Sequence, residues 1–328
     1  MVGTLRARIG AFRGVLCGYR QPRTVNCPMA IRLPCDGRRG DIGDDSSLPS
    51  PVSDLPIHTA TRYVQPLREG GSLPAVVETD RGELFVVKFR GAGQGARVLV
   101  AELIVGLLAR EVGLPTPDLA VVEVPSRFGR SEPDPEIQEL LQRSHGVNVG
   151  LRYLDGSFNF DVLAAGDLVS ESFATHLVWF DALVTNPDRT HRNPNLLFWR
   201  REPWLIDHGA ALYAHHDWSQ VDEARTRTPF PLIRTHVLLA LSGDLAAADA
   251  ALAPRLDEAS VDRVLRQVPD ALLVDPLSAD FATAGEARER YRRYLLTRLA
   301  EPRDFVAEAI VARDRQRREP PLHLAARR

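Results

Sequence analysis

"NPDRTHRNPNLLFWRREPWLIDHGAAL", residues 186–212, decides how this chain folds. Asp188 and Asn193 stand five apart in a polar loop, two short strand-like runs follow, and the second ends in Asp207, His208 and Gly209. Singly, such Asp and Asn residues are turn formers. In this order they deliver a free carboxylate and two hard oxygen donors to one place. The Asp207 carboxylate and the Asn193 side-chain carbonyl suit magnesium. Asp188 is left to accept a hydroxyl proton, and Gly209 relieves crowding beside the metal.

Upstream, "GELFVVKFRGAG", residues 82–93, contains a lysine. The chain has 41 Lys plus Arg; Lys88 is its one lysine and the other 40 are arginine. Alternation along the strand puts Leu84, Val86 and Lys88 on one face and Phe85, Val87 and Phe89 on the other. With both faces apolar, Lys88 is read as a cleft lysine acting as a compact point charge on phosphate oxygens, a task for which arginine's planar fork is bulkier and fixed. The alternative is an edge-strand lysine that blocks aggregation. A cleft lysine needs an acidic partner: Glu102, on the helix that follows, is the candidate, with Glu111 as the fallback. Before the strand, Gly70, Gly71 and Ser72 in "LREGGSLP" offer backbone amides to an anion. "RGAGQGAR" after it reads as a flexible connection.

The rest of the chain frames these motifs. Apolar content of 44% and charged content of 26% are those of a globular protein, and a formal charge of −2 supplies no field to gather nucleic acid or an anionic membrane. No apolar run approaches a membrane span, and Arg6, Arg8 and Arg13 break any signal-peptide core, so a cytoplasmic protein is expected. Cys17, Cys27 and Cys35 fit neither a common zinc pattern nor a closed disulfide framework. Residues 1–55 read as a poorly ordered, dispensable extension. A hairpin is expected from residues 73–79 and 83–89 across "TDRG", then a helix in "GARVLVAELIVGLLAREVGLP" and a strand in "DLAVVEV". A short helix capped by Asp134 and a strand in "VNVGLRYLDG" follow. Next come a long helix at about 167–185, strands "NLLFW" and "PWLID", and helix from about 231 to the end.

The Asp-x-x-x-x-Asn spacing, followed by a strand pair ending in Asp-x-Gly, is the layout of phosphoryl-transfer sites in protein kinases. From about residue 60 to 240 the chain resembles the HipA-like kinases on "VVKF", "NPDRTHRN" and "LIDHG", with His208 where typical protein kinases have Phe. This branch of the protein-kinase-like fold is also similar to the phosphoinositide kinases. The resemblance implies an α+β, two-lobed fold, with a β-rich N-lobe over 56–150 and a mostly helical C-lobe over 151–328. It implies ATP and Mg2+ as cofactors, Lys88 on the nucleotide phosphates, Asp188 catalytic, Asn193 and Asp207 on the metal, and adenine near "GLRYL". It also implies that Ser72 is open to autophosphorylation. The acceptor it implies is a protein serine or threonine; the alternatives are a small-molecule or lipid kinase and a non-catalytic nucleotide-binding scaffold. Residues 1–55 are too short and irregular for the N-terminal domain of the family's toxin members, and Asn186-Pro187 replaces the usual His-Arg before the catalytic Asp. Neither a membrane nor a direct nucleic-acid partner is expected.

Overall fold

Strand β2 (Ala75–Thr79) and strand β3 (Leu84–Lys88) form the expected hairpin, with Ala75 opposite Val87 and Val77 opposite Phe85. Its turn includes Gly82 at φ 71°, a conformation glycine adopts without strain. In the computed structural model, which describes residues 54–67, 73–93, 95–130, 132–162, 166–274 and 280–319, this hairpin belongs to a closed five-stranded barrel. The described residues fall within one compact unit, Leu48–Arg328.

Strand β5 (Gly146–Arg152) runs antiparallel to β3 and to β4 (Leu119–Val124). Strand β1 (Ile57–Pro66) closes the barrel, antiparallel to β2 and, through Ile57–Thr59 against Val121–Glu123, parallel to β4. Sequence reading does not reveal this closure. Register shifts at Ala60/Arg62 and Tyr63/Gln65 break the alternation of β1 that would have shown its inner face. Val77, Phe85, Val87, Ala120, Val122 and Leu141 fill the barrel's core. Burial of a side chain such as Phe85 contributes roughly 1.5–3 kcal/mol. Gly150 lets the walls approach: a Cβ there would sit 2.7 Å from Val122 Cγ2.

Helix α1 (Gly95–Glu111) is buried along nearly its whole length and joins a second, larger core that extends through the C-terminal helices. Both of its ends are tied down. Arg97 donates to the His216 carbonyl at 2.6 Å and pairs with Asp280; Glu111 accepts two bonds from Arg263 at 3.0 and 2.8 Å; Arg255 donates to the Val112 carbonyl at 2.9 Å. Glu111 is therefore not the partner of Lys88, as the fallback reading had it. Nine residues is two and a half helical turns, so Glu102 and Glu111 face opposite ways. The β3–α1 connection also differs from expectation. Gly91 donates to Ser144 Oγ at 3.1 Å, and a Cβ there would meet Arg143 backbone at 2.9 Å, so its glycine serves close packing.

Helix α2 (Pro135–Arg143) starts as expected, with the Asp134 side chain accepting from Glu136 N–H. Helix α3 (Glu171–Leu183) is shorter than expected because Ser170 caps it through Phe173 N–H. Strands β6 (Phe158–Asn159), β7 (Leu196–Trp199) and β8 (Glu202–Leu205) make a small sheet in that order. Helix α4 (Glu223–Thr226) precedes the expected helical part, which opens with 3-10 turns at Pro231–Thr235 and Leu239–Leu241 and continues, among the described residues, with α5 (Leu245–Leu252), α6 (Glu258–Arg266), α7 (Asp270–Leu273), α8 (Ala284–Leu299) and α9 (Asp304–Arg318). Among the described residues, no helix is long and apolar enough to cross a membrane.

Candidate active site

Lys88, at the end of β3, sits where the barrel meets α1 and the turn after β8. Its Nζ donates to Glu102 Oε2 at 2.6 Å and to Asp207 Oδ1 at 2.5 Å. Lys88 is 6% exposed and Glu102 fully buried, whereas the Asp207 side chain is 44% exposed. The edge-strand alternative for Lys88 fails on this burial. Burial alone would lower the Lys88 ammonium, but the Glu102 and Asp207 charges more than reverse it and hold the group above its ordinary value. For Asp207, burial pushes upward, and the Lys88 charge and hydrogen bond outweigh it, so the carboxyl lies below its ordinary value. Burial pushes the fully buried Glu102 carboxyl above its ordinary value despite the Lys88 charge, so the acid held firmly ionised is Asp207, on the open side of the cluster.

Local backbone geometry delivers Asp207. The residue takes the left-handed conformation, φ 56°, which Asp tolerates better than most side chains. The next amide, His208 N–H, donates to the same Glu102 Oε2 at 2.8 Å. Gly209 follows, and a Cβ there would lie 2.4 Å from Val98 Cγ1 on α1. Gly209 thus makes room for α1, and the same Cβ would lie 3.7 Å from Asp207 Oδ1, so it also keeps the space beside that carboxylate open. The His208 imidazole is buried, and burial together with the nearby Arg189 charge pushes it down to about 3. It is neutral at physiological pH.

The second half of the site is the loop between α3 and β7. Asp188 Oδ2 accepts from Asn193 Nδ2 at 2.8 Å and from Asn195 Nδ2 at 3.0 Å. Asn195, at φ 49°, was not singled out in the sequence; its sign there was a second Asn two residues after the first. Asn193 spends its amide nitrogen on Asp188, which leaves its side-chain oxygen for another partner. Asp188 is half-buried and Asn193 exposed, both accessible to a ligand.

The oxygen donors of Asp207 and Asn193 are of the type that magnesium takes. Among the described residues there is no group of three or more His, Cys, Asp or Glu that could hold a metal ion. Asp207 and Asn193 would contribute one oxygen ligand each, and magnesium commonly takes only one or two protein ligands, with nucleotide phosphates and waters as the remainder. Gly70, Gly71 and Ser72 lie outside the described residues. A cavity of about 470 Å³ bordered by Arg62, Tyr63, Phe128 and Glu132 contains none of these chemical groups.

Comparison with known proteins identifies the family. A sequence profile described as "HipA-like kinase" matches residues 61–225, half of the chain. The chain belongs to the HipA-like kinase family. It is a kinase, with Lys88, Glu102, Asp188, Asn193 and Asp207 all inside the matched span. Among solved structures it is similar to a Helicobacter pylori proinflammatory kinase, CtkA, with TM-score 0.51 and 12% identity over 78% of this chain and 98% of that one. At that identity the likeness concerns the fold. No curated protein matches the chain.

Proposed function

We propose that this kinase transfers the γ-phosphate of ATP, with magnesium, to a serine or threonine hydroxyl of a protein in the cytoplasm. The observation that carries the reading is Lys88, held between the buried Glu102 and the half-exposed Asp207 at 2.6 and 2.5 Å. Glu102 keeps the ammonium in place, while the exposed partner can exchange it for nucleotide oxygens. The proposed architecture is two-lobed, with residues 56–150 as the N-lobe and 151–328 as the C-lobe.

In the transfer, the bond from the γ-phosphorus to the β,γ-bridging oxygen breaks and a bond to the acceptor oxygen forms. The acceptor proton passes to Asp188, and ADP carries away the electron pair of the broken bond. The amides of Asn193 and Asn195 hold the Asp188 carboxylate so that it meets the hydroxyl in one orientation. Lys88 stabilises charge on the phosphates. Bound magnesium, on Asp207 and Asn193, would neutralise the charge that develops on phosphate oxygens.

The test is incubation of purified protein with γ-labelled ATP and a lysate, with and without a chelator, followed by phosphoamino-acid analysis. Label on protein serine or threonine that needs magnesium supports the proposal. Label found only on small molecules or lipids, or transfer that survives chelation, overturns it.

A further inference from the structure

Asp181 sits near the end of α3 with its carboxylate fully buried, the one acid within the apolar run "HLVWFDALV". A carboxylate in such a place must be paired, and it has three partners. Oδ1 accepts from Asn186 Nδ2 at 3.1 Å, and Oδ2 accepts from Arg189 Nε at 2.5 Å and from His236 Nε2 at 2.9 Å. The His236 tautomer follows from its other nitrogen. Nδ1 accepts from Leu238 N–H at 3.1 Å, so the ring proton is on Nε2 and the imidazole donates while neutral. The cluster carries one negative and one positive charge, and Arg189 Nη2 is buried within it without a hydrogen-bond partner.

Each partner leads to Asp188. Asn186 Oδ1 accepts from Asp188 N–H at 3.1 Å. Arg189 Nη1 donates to the Asn195 carbonyl at 2.5 Å, and Asn195 Nδ2 donates to the Asp188 carboxylate. Val237 N–H donates to the Arg189 carbonyl at 3.1 Å, and Thr190 bridges to His236, which anchors the loop to the segment before α5. Asp181 thus grips the loop before and after Asp188 and touches neither Asp188 nor any group able to hold nucleotide.

We propose that Asp181 is the positioning residue of phosphoryl transfer, setting the aim of Asp188 through Asn186 on one side and through Arg189 and Asn195 on the other. The proposal rests on Asp188 as the proton acceptor. A displacement of about 1 Å at a reacting group costs on the order of 100-fold in rate. Asp181→Asn retains shape and an acceptor oxygen but loses the charge facing Arg189. Arg189→Lys keeps the charge but loses the fork that reaches Asp181 and Asn195 together.

The experiment measures kcat and the KM for ATP of both variants below their unfolding midpoints, with hydrogen exchange on the same samples. Expected are a kcat lower by about 10- to 100-fold, an ATP KM within about threefold of the parent, and faster exchange confined to residues 186–195. A merely structural role would lower the folded fraction and leave kcat per folded molecule unchanged. Should Asp181→Asn or Arg189→Lys not fold, Asn186→Ala, which cuts only the neutral tether, is expected to show the same split. Parent kcat in the folded variants overturns the proposal. Asp188→Asn separates the two claims: if it retains turnover, the reading of Asp188 itself fails; if it is inactive while the positioning variants match the parent, only the present inference fails.

Discussion

Lys88 and Arg189 are both buried cations, 6% and 1% exposed, and the site uses them in opposite ways. Lys88 faces two acids, one sealed and pushed upward by burial, the other open and held below its ordinary value, so its cluster has a face toward solvent. Arg189 faces one carboxylate that is itself fully buried, and its Nη1 donates to the Asn195 and Pro194 carbonyls. The first arrangement is left unfinished on its open side; the second has no such opening, although Arg189 Nη2 is buried without a hydrogen-bond partner. The burial of Asp181 makes this plain. Burial alone would raise its carboxyl, yet the Arg189 charge and the His236 hydrogen bond hold it down at about 2. An exposed partner, rather than the depth of the cation, distinguishes a cluster that could receive a ligand from one that holds.

The largest effect is expected where the unfinished cluster meets the acceptor. Asp188→Asn should lower phosphate transfer by on the order of 10³-fold or more while ATP binding, measured by calorimetry, stays within a few-fold. Lys88→Arg should fold with an unfolding midpoint close to the parent's yet turn over at least about 100-fold more slowly at saturating ATP. The guanidinium would have to fit between Glu102 and Asp207 where a slim ammonium now spans both. Full activity in Lys88→Arg would erase the contrast between the two cations.

Stability below neutral pH gives a second handle. His208 and His215 are both pushed down to about 3, in each case chiefly by burial, from an ordinary 6.5. Between those values the unfolded chain binds a proton that the folded chain refuses. Stability is therefore intact above about pH 6.5 and is lost as pH falls toward 3, by about 1.4 kcal/mol per pH unit for each imidazole. Denaturant midpoints from pH 6.5 to 4 should fall accordingly, and His215→Asn should lessen the slope by about the share of one group. A flat profile would mean that these rings are protonated in the folded protein.

The smallest effect is expected at Glu111. Its pair with Arg263 is partly exposed, so Glu111→Gln should change stability by less than about 1 kcal/mol and leave turnover alone. A large loss would show that peripheral pairs carry as much as the buried clusters do.

The residues of the receiving cluster and of the Asp188 loop were legible by type and order: a lone lysine in an apolar strand, Asp-x-x-x-x-Asn, then Asp-His-Gly. The holding cluster was less so. Asp181 and His236 lie 55 residues apart, and no local spacing joins them. The single acid in the apolar run "HLVWFDALV" was the available sign, and it says only that a partner exists. The closing of the barrel through β1 was hidden by two register shifts, and the tight seat of Gly91 against Ser144 by a distance of 53 residues. Long-range pairing leaves little trace in sequence period.

The anchoring of α1 has a mechanical consequence. With Arg97 fastened near one end and Glu111 and Val112 near the other, the helix is riveted to the C-terminal body, while Lys88 belongs to the barrel wall. Flexing of barrel against helices would load the bond between Lys88 and Glu102 together with the seat of Gly106 on Leu119. The lysine would then be a strain gauge as well as a charge: a ligand that settled on it would also brace the joint.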